Sequence, residues 1–347
     1  MVLDTLILHH FRNYSSFNCS FDPHITYIVG ANAQGKTNIL ESVYMICTGK
    51  GIKDEKQEEM IMFDHASADI QAVCKEGTDE SLLRITLEKG QYLKKTFQVN
   101  KARKLLYTYL RSTPPAVLFT PELISVIDGS PSLRRSFFDT LLCQLDISYQ
   151  KALRNYENGI RKRNKIFEAI IDQTKLKESL HFWDTYLVDN AKYIQEKRTW
   201  MTEQYNQQRD LHEHSFSLIY EPNPISHERF DEYFMKEYYQ KRTLIGPQRD
   251  EYIIHLQSHN KDIDTKKYAS RGEQRLALLW LIIQQLRLIK ANLQESPILL
   301  LDDIFSELDE HNRSVIVSII DEYQTIITST DKSEAKRVSP KAHIIEI

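Results

Sequence analysis

Two stretches of this chain carry residue types and spacings suited to phosphate chemistry. The first is Gly30-Ala31-Asn32-Ala33-Gln34-Gly35-Lys36-Thr37, which fits GxxxxGK[ST]. Glycines in that pattern let the backbone wrap an anion, and successive N–H groups point inward at a helix N-terminus. Lys36 adds a cation for the β- and γ-phosphates and Thr37 a hydroxyl for Mg²⁺, so ATP and Mg²⁺ are the expected ligands. The second is Ile298-Leu299-Leu300-Leu301-Asp302-Asp303. Four aliphatics deliver two carboxylates to the C-terminal edge of a parallel sheet, where ligands sit in open α/β folds. Asp302 is expected to hold Mg²⁺, directly or through water, and Asp303 to orient or deprotonate an attacking water. Without the phosphate loop, the same pair would read equally well as solvated acids at a strand end.

The elements needed to position these groups are legible in outline. His24–Val29 is a short β-branched run that stops at Gly30, and Lys36–Thr48 has apolar residues at helical spacing. Strand, glycine-bearing loop and helix therefore occur in the order the chemistry requires. Val2–Phe11 reads as a strand, and Ala68–Cys74, Leu82–Leu87 and Tyr92–Val99 as strands in antiparallel hairpins. From Pro131 to about His214 the pattern changes to several long helices, an all-helical lobe ended by Glu221-Pro222-Asn223-Pro224. Glu251–Leu256 reads as a strand, Arg271–Asn292 as a strong amphipathic helix, and Thr325–Thr328 as a last core strand. The fold class is α/β with an antiparallel β-subdomain and an inserted, mainly α-helical lobe. The expected boundaries are 1–120 with 240–347 for the discontinuous lobe and 121–239 for the insert.

Composition bounds the rest. At 347 residues, 41% apolar and 27% charged, the chain is an ordinary globular protein with room for two lobes. Its net charge of -3 means that any DNA contact needs a local basic surface. Cys19, Cys47, Cys74 and Cys143 are far apart, with no zinc spacing, which fits a reducing, cytoplasmic setting. Met1-Val2-Leu3-Asp4 does not open a signal peptide, and the apolar run Leu276–Leu286 is too short and too interrupted by glutamines for a membrane span.

A third motif defines the subclass. Ala269-Ser270-Arg271-Gly272-Glu273-Gln274-Arg275 opens a helix about 30 residues before the acids and resembles the ABC signature, a Ser-x-Gly-x-Gln turn. In ABC-type dimers such a serine and helix N-terminus meet the γ-phosphate held by the other subunit, so Ser270, Gly272 and Gln274 become candidate nucleotide contacts in trans. The plainer reading is a helix that Ser270 caps. Phe11-Arg12-Asn13-Tyr14, the phosphate loop with Asn38, Leu118-Phe119-Thr120-Pro121-Glu122, Gly129-Ser130-Pro131 with Arg134-Arg135, and Gly246-Pro247-Gln248-Arg249-Asp250 follow in order. Together with Leu301-Asp302-Asp303 these blocks resemble the RecF family over nearly the whole chain. That resemblance implies an ABC-type ATPase head used in DNA repair. It also implies an ATP-induced homodimer on gapped or double-stranded DNA, nucleoid association, and work with RecO and RecR to help load RecA. Arg12 and Asn38 enter as nucleotide contacts on the resemblance alone. The insert of about 260 residues between the two phosphate-site motifs shows no sustained heptads, unlike the long coiled coils of SMC proteins.

Some features depart from the family pattern or compete with it. Residues 51–59 are largely acidic where RecF proteins usually carry a basic loop, and Gln248 stands where histidine is common. Ser306-Glu307-Leu308-Asp309 is expected to cross a dimer interface. Lys151, Arg154, Arg161, Lys162, Arg163 and Lys165 face only Glu157 in one 15-residue stretch, and Lys101, Arg103 and Lys104 form a smaller cluster. Each cluster is either a phosphate-binding face or a solvated one. Tyr156, Tyr193 and Phe182 read as core, His212-Glu213-His214 as exposed histidines rather than a metal site, and Asp262-Ile263-Asp264 as a hairpin tip. The competing function is the ATPase of a phage-defence or overcoming-lysogenisation nuclease. Such a protein would add a C-terminal acidic domain, and only about 20 residues follow the last core strand.

Overall fold

A computed structural model describes the chain except residues 53–57, 212, 259–260, 308–309 and 339–340, with side chains left out at 258, 306–307, 310–312, 334 and 336–337. The chain opens with β1 (Val2–Phe11), β2 (Tyr14–Ser20), β3 (Ile25–Val29) and α1 (Lys36–Thr48). There follow β4 (Ser67–Glu76), β5 (Asp79–Glu88), β6 (Lys94–Val99), β7 (Ala102–Lys104), α2 (Leu106–Tyr109) and β8 (Ala116–Phe119). Next come α3 (Ser125–Asp128), α4 (Pro131–Leu145), α5 (Ile147–Ala169), α6 (Gln173–Tyr205), β9 (Asp210–Leu211), β10 (His214–Glu221) and α7 (His227–Gln240). The remainder is β11 (Glu251–Ser258), β12 (Lys261–Asp264), α8 (Thr265–Tyr268), α9 (Arg271–Leu293) and β13 (Ile298–Asp302). Then come α10 (Ile304–Glu307), α11 (Glu310–Ile320), β14 (Thr325–Ser329), α12 (Lys332–Val338) and β15 (His343–Glu346).

Two compact units form, Met1–Leu123 with Gln285–Ile347, and Ile124–Gln284. The second boundary thus differs from the expected 239/240, because β11 pairs with β10 along its length, Ser215 to Gln257 through Glu221 to Glu251. In the first unit, an antiparallel sheet of order β2-β1-β4-β5-β6-β7 and a parallel sheet of order β15-β3-β14-β13-β8 enclose α1. Ile39, Leu40, Val43 and Ile46 of α1 are fully buried against Leu6, Leu8 and Ile85 on one side and Leu300 and Ile326 on the other. The aliphatic runs of β3 and β13 are buried at every position, as strands covered on both faces require.

The second unit is not all-helical. It contains the antiparallel sheet β12-β11-β10-β9. Strand β10 alternates as a half-buried strand does: Phe216 and Leu218 are buried and Ser217 and Ile219 are not. Helices α5 and α6 pack tightly at Gly159, where an added Cβ would lie 2.8 Å from Leu187. Helix α9 has the length and composition to span a membrane, but 72% of its most apolar window is buried. Trp280 of α9 stacks on Phe216, meets Tyr205 edge-on, and donates to the Gln208 carbonyl at 3.0 Å. It is a core helix.

Candidate nucleotide site

The phosphate loop joins β3 to α1 at the C-terminal edge of the parallel sheet. Ala33 and Gly35 take left-handed backbone angles, φ 67° and 108°. Gly35 also has no room for a side chain, since a Cβ would lie 2.6–2.7 Å from side-chain atoms of Asn13 and Tyr14. Lys36 is buried, and its ammonium donates to the carbonyls of Gly30 at 2.7 Å and Ala31 at 2.9 Å. The Gln34 side chain accepts from the Ala31 N–H. The loop is therefore closed on itself, with its cation parked on backbone oxygens that an anion could replace.

The acids arrive from two strands away. Strand β14 lies between β3 and β13, with Ile28 beside Thr328 and Thr328 beside Asp302. All three run parallel, so their C-terminal ends meet at one edge. The Thr37 hydroxyl donates to the Asp302 carboxylate, 2.8 and 3.1 Å from its two oxygens. Thr328 donates to Asp302 at 2.6 Å and accepts from the Asp303 N–H at 2.9 Å. Burial pushes the Asp302 carboxyl above the usual range, opposed by hydrogen bonds from Thr328 and Thr37 and reinforced by the charges of Glu122 and Asp303. A buried carboxylate and a hydroxyl are hard oxygen donors, and like charge surrounds them. That set fits Mg²⁺, which binds through one or two carboxylates with substrate phosphates completing its shell. Asp303 follows on a left-handed backbone, φ 46°, which aspartate tolerates better than most residues.

The RecF/RecN/SMC N-terminal domain family matches residues 2–345. The DNA replication and repair protein RecF of Agathobacter rectalis is 32% identical over 96% of this chain and 93% of its own length. That of Lachnospira eligens is 33% identical over 96% and 94%. The solved recombination mediator protein RecF-ATP in the RecFOR pathway superposes with a TM-score of 0.87 at 25% identity, covering 96% of this chain and 93% of that one. The chain belongs to the RecF family.

With RecF as the frame, the residues carried over by resemblance divide. The Arg12 guanidinium is engaged within the chain: Nε and Nη2 grip Glu41 at 2.7 and 2.9 Å, and Nη1 donates to the Glu59 carbonyl at 3.2 Å. Asn38 holds Asn13 at 2.8 Å. Ser270 forms a capping box, its N–H and hydroxyl both on Glu273 at 2.7 and 2.8 Å. Gln274 is buried and donates to the Thr265 carbonyl at 3.1 Å, so its amide serves the interior instead of a nucleotide contact. Gly272 is exposed, and nothing lies within 4 Å of where its Cβ would be. No packing demand explains that glycine.

Sequence reasoning missed Thr328 as a site residue. The only signal was a hydroxyl residue ending a core strand, and its importance depends on β14 lying between the two motif strands. It also counted Arg163 with a basic face, phosphate-binding or solvated, that the residue does not join. Arg163 is buried, paired with Asp184 at 2.7 Å and Glu237 at 2.6 Å, and lies over the Phe230 ring. Lys151, Arg154, Arg161, Lys162 and Lys165 of α5 are exposed. Arg134 is buried on Glu251. Lys101, Arg103 and Lys104 lie exposed at the edge strand β7 and the turn before it. Tyr156 is core, Tyr193 is half-buried on Asp146, and Phe182 is exposed. Gln248 accepts from the Tyr156 hydroxyl.

Among the described residues no group of three or more His, Cys, Asp or Glu could hold a metal. His214 begins β10, and His212 lies outside the described residues. Asp262 pairs with His255 at 2.9 Å across the β11–β12 hairpin, and Asp264 caps α8. Residues 53–57 of the stretch 51–59, and Leu308-Asp309, also lie outside the described residues.

Proposed function

We propose that this chain is an ATP-dependent DNA-binding protein of recombinational repair, in which slow ATP hydrolysis switches a homodimer on gapped or double-stranded DNA. It would act in the cytoplasm at the nucleoid, with RecO and RecR, to assist RecA loading. The observation that carries the reading is the contact of the Thr37 hydroxyl with Asp302, 2.8 Å, which joins the phosphate loop to the acidic strand end. Thr37 and Asp302 would hold Mg²⁺; Lys36 and the loop N–H groups, Gly30 to Gly35, would hold the phosphates; Asp303 would orient water. Bound ATP and Mg²⁺ supply the phosphoanhydride and the charge neutralisation its cleavage needs. The overcoming-lysogenisation alternative is not favoured, since the curated relatives are RecF proteins matched over nearly their full length.

The signature turn makes the site a shared one. Ser270 and the bare Gly272 begin a 23-residue helix whose positive end suits a γ-phosphate presented by a second copy. ATPase activity per chain will therefore rise with protein concentration, and ATP will shift the chain to a dimer in sizing. Gly272→Glu will abolish both effects while leaving the monomer's melting temperature unchanged, because the site has open space. Concentration-independent turnover by a strict monomer contradicts the reading.

The DNA face is assigned to the five exposed bases of α5. If about five phosphates are neutralised, log affinity will fall with log salt at a slope near -4 to -5. Replacing Arg161 and Lys162 by glutamine will reduce the slope by up to about 2 and weaken all sequences alike, since phosphate contacts carry no base information. An unchanged slope moves the contact to the Lys101–Lys104 edge.

A further inference from the structure

The tip of the β1–β2 hairpin touches the phosphate loop. The Asn13 amide donates to the Gln34 carbonyl at 3.0 Å, and the Tyr14 hydroxyl donates to the same oxygen at 3.3 Å. Asn38 of α1 donates to Asn13 Oδ1 at 2.8 Å, which leaves Asn13 Nδ2 as the donor toward the loop. The tip itself is anchored. Phe11 pairs with Tyr14, the Arg12 N–H donates to the Met60 carbonyl at 2.8 Å, and the Arg12 guanidinium grips Glu41. Arg12 sits at φ 52°, a conformation uncommon for arginine, so the turn is held by these contacts and not by local preference.

A trans peptide is planar, so the Gln34 carbonyl and the Gly35 N–H point in opposite directions. Two donors drawing the carbonyl toward the hairpin aim that N–H the other way, into the concave side of the loop. We propose that Asn13 and Tyr14 are positioning residues that set the Gln34–Gly35 peptide, so that the Gly35 N–H faces the bound phosphates. The inference rests on the nucleotide-binding reading given above. It explains a second demand on Gly35: any side chain there would collide with Asn13 and Tyr14, 2.6–2.7 Å away, and push the brace off the loop. Burial raises the Tyr14 phenol to about 12, with a smaller contribution from Cys19, so the hydroxyl keeps its donating proton at neutral pH.

The test uses the full chain with Tyr14→Phe, Asn13→Leu and the double variant. Gln-Gly occurs once among the ten glycines, so carbonyl-labelled glutamine with nitrogen-labelled glycine isolates the Gly35 amide as a single resonance. In nucleotide-free protein that resonance will move in Tyr14→Phe and further in the double variant. The double variant will bind ADP and ATP more weakly by the same factor, about tenfold, because loop N–H groups cradle the α- and β-phosphates that both share. Its melting temperature without nucleotide will stay within a few degrees of the parent's. An unmoved Gly35 resonance in the double variant overturns the brace, as does a loss of affinity confined to ATP. If ADP leaves the parent's Gly35 resonance untouched, the nucleotide reading fails instead, and the nucleotide-free comparison still decides the brace.

Discussion

Asp303→Asn will slow ATP hydrolysis by about 100-fold or more while leaving nucleotide affinity within about twofold, because a general base or water-orienting acceptor acts mainly in the transition state. The substitution is clean on the backbone. Asparagine tolerates the left-handed conformation that Asp303 adopts at φ 46°, and the Asp303 N–H can keep its bond to Thr328. Binding rests on other groups. Lys36→Ala removes a buried ammonium and will weaken ATP and ADP by about 10- to 100-fold, the value of one or two charge-assisted hydrogen bonds. The Asp303→Asn dimer will persist with ATP, whereas the Lys36→Ala chain will stay monomeric. Single-turnover hydrolysis beside a fluorescent-nucleotide titration separates the two. Wild-type turnover in Asp303→Asn removes Asp303 from the chemistry.

Arg198→Met will destabilise the second unit by about 3–5 kcal/mol, the cost of leaving buried charge unpaired. Arg198 of α6 is buried, and its fork reaches Asp139 at 2.8 Å, Asp250 at 2.7 Å and the Pro247 carbonyl at 2.8 Å. Asp250 is itself fully buried and also accepts from Asn223 N at 2.7 Å, Gln195 at 3.0 Å and the Tyr220 hydroxyl. These bonds tie α4, α6, β10 and the Gly246–Asp250 turn to one guanidinium. Adding Asp139→Asn and Asp250→Asn to Arg198→Met will recover part of the loss, because no buried carboxylate then lacks its cation. Denaturant unfolding, followed by the fluorescence of Trp200 two residues away, measures both. A loss below about 1 kcal/mol would mean that water replaces the arginine.

The phosphate loop and the acidic pair were readable because each is contiguous: the chemistry and the element that presents it are written in the same ten residues. What joins them was not readable. Thr328 matters only because β14 inserts between β3 and β13, and strand order is set by packing, not by local pattern. Asn13 and Tyr14 reach the loop through a hairpin whose tip position no periodicity encodes. The charge count on α5 failed at Arg163 for a related reason. Successive helix positions turn by about 100°, so a basic run spreads over several faces, and one of them is interior. Strand β10 was lost to the helical lobe because His214–Glu221 offers only a short alternation with no glycine or proline ahead of it. Ser270 could be read two ways, and the capping box is present without excluding a role toward a second copy.

The neighbours of β3 carry a consequence for synthesis. Its two partners in the parallel sheet are β14 and β15, residues 325–329 and 343–346. Among the described residues, nothing made in the intervening stretch pairs with it. At translation rates of about 5–20 residues per second, β3 would wait roughly 15–60 s with both edges bare and five consecutive apolar or β-branched residues ready to pair with the wrong chain. The strand that leads into the phosphate loop therefore gains its sheet partners only when the last core strands are made, and a message truncated between the loop and those strands yields a chain with an intact phosphate-loop sequence on an unpaired strand.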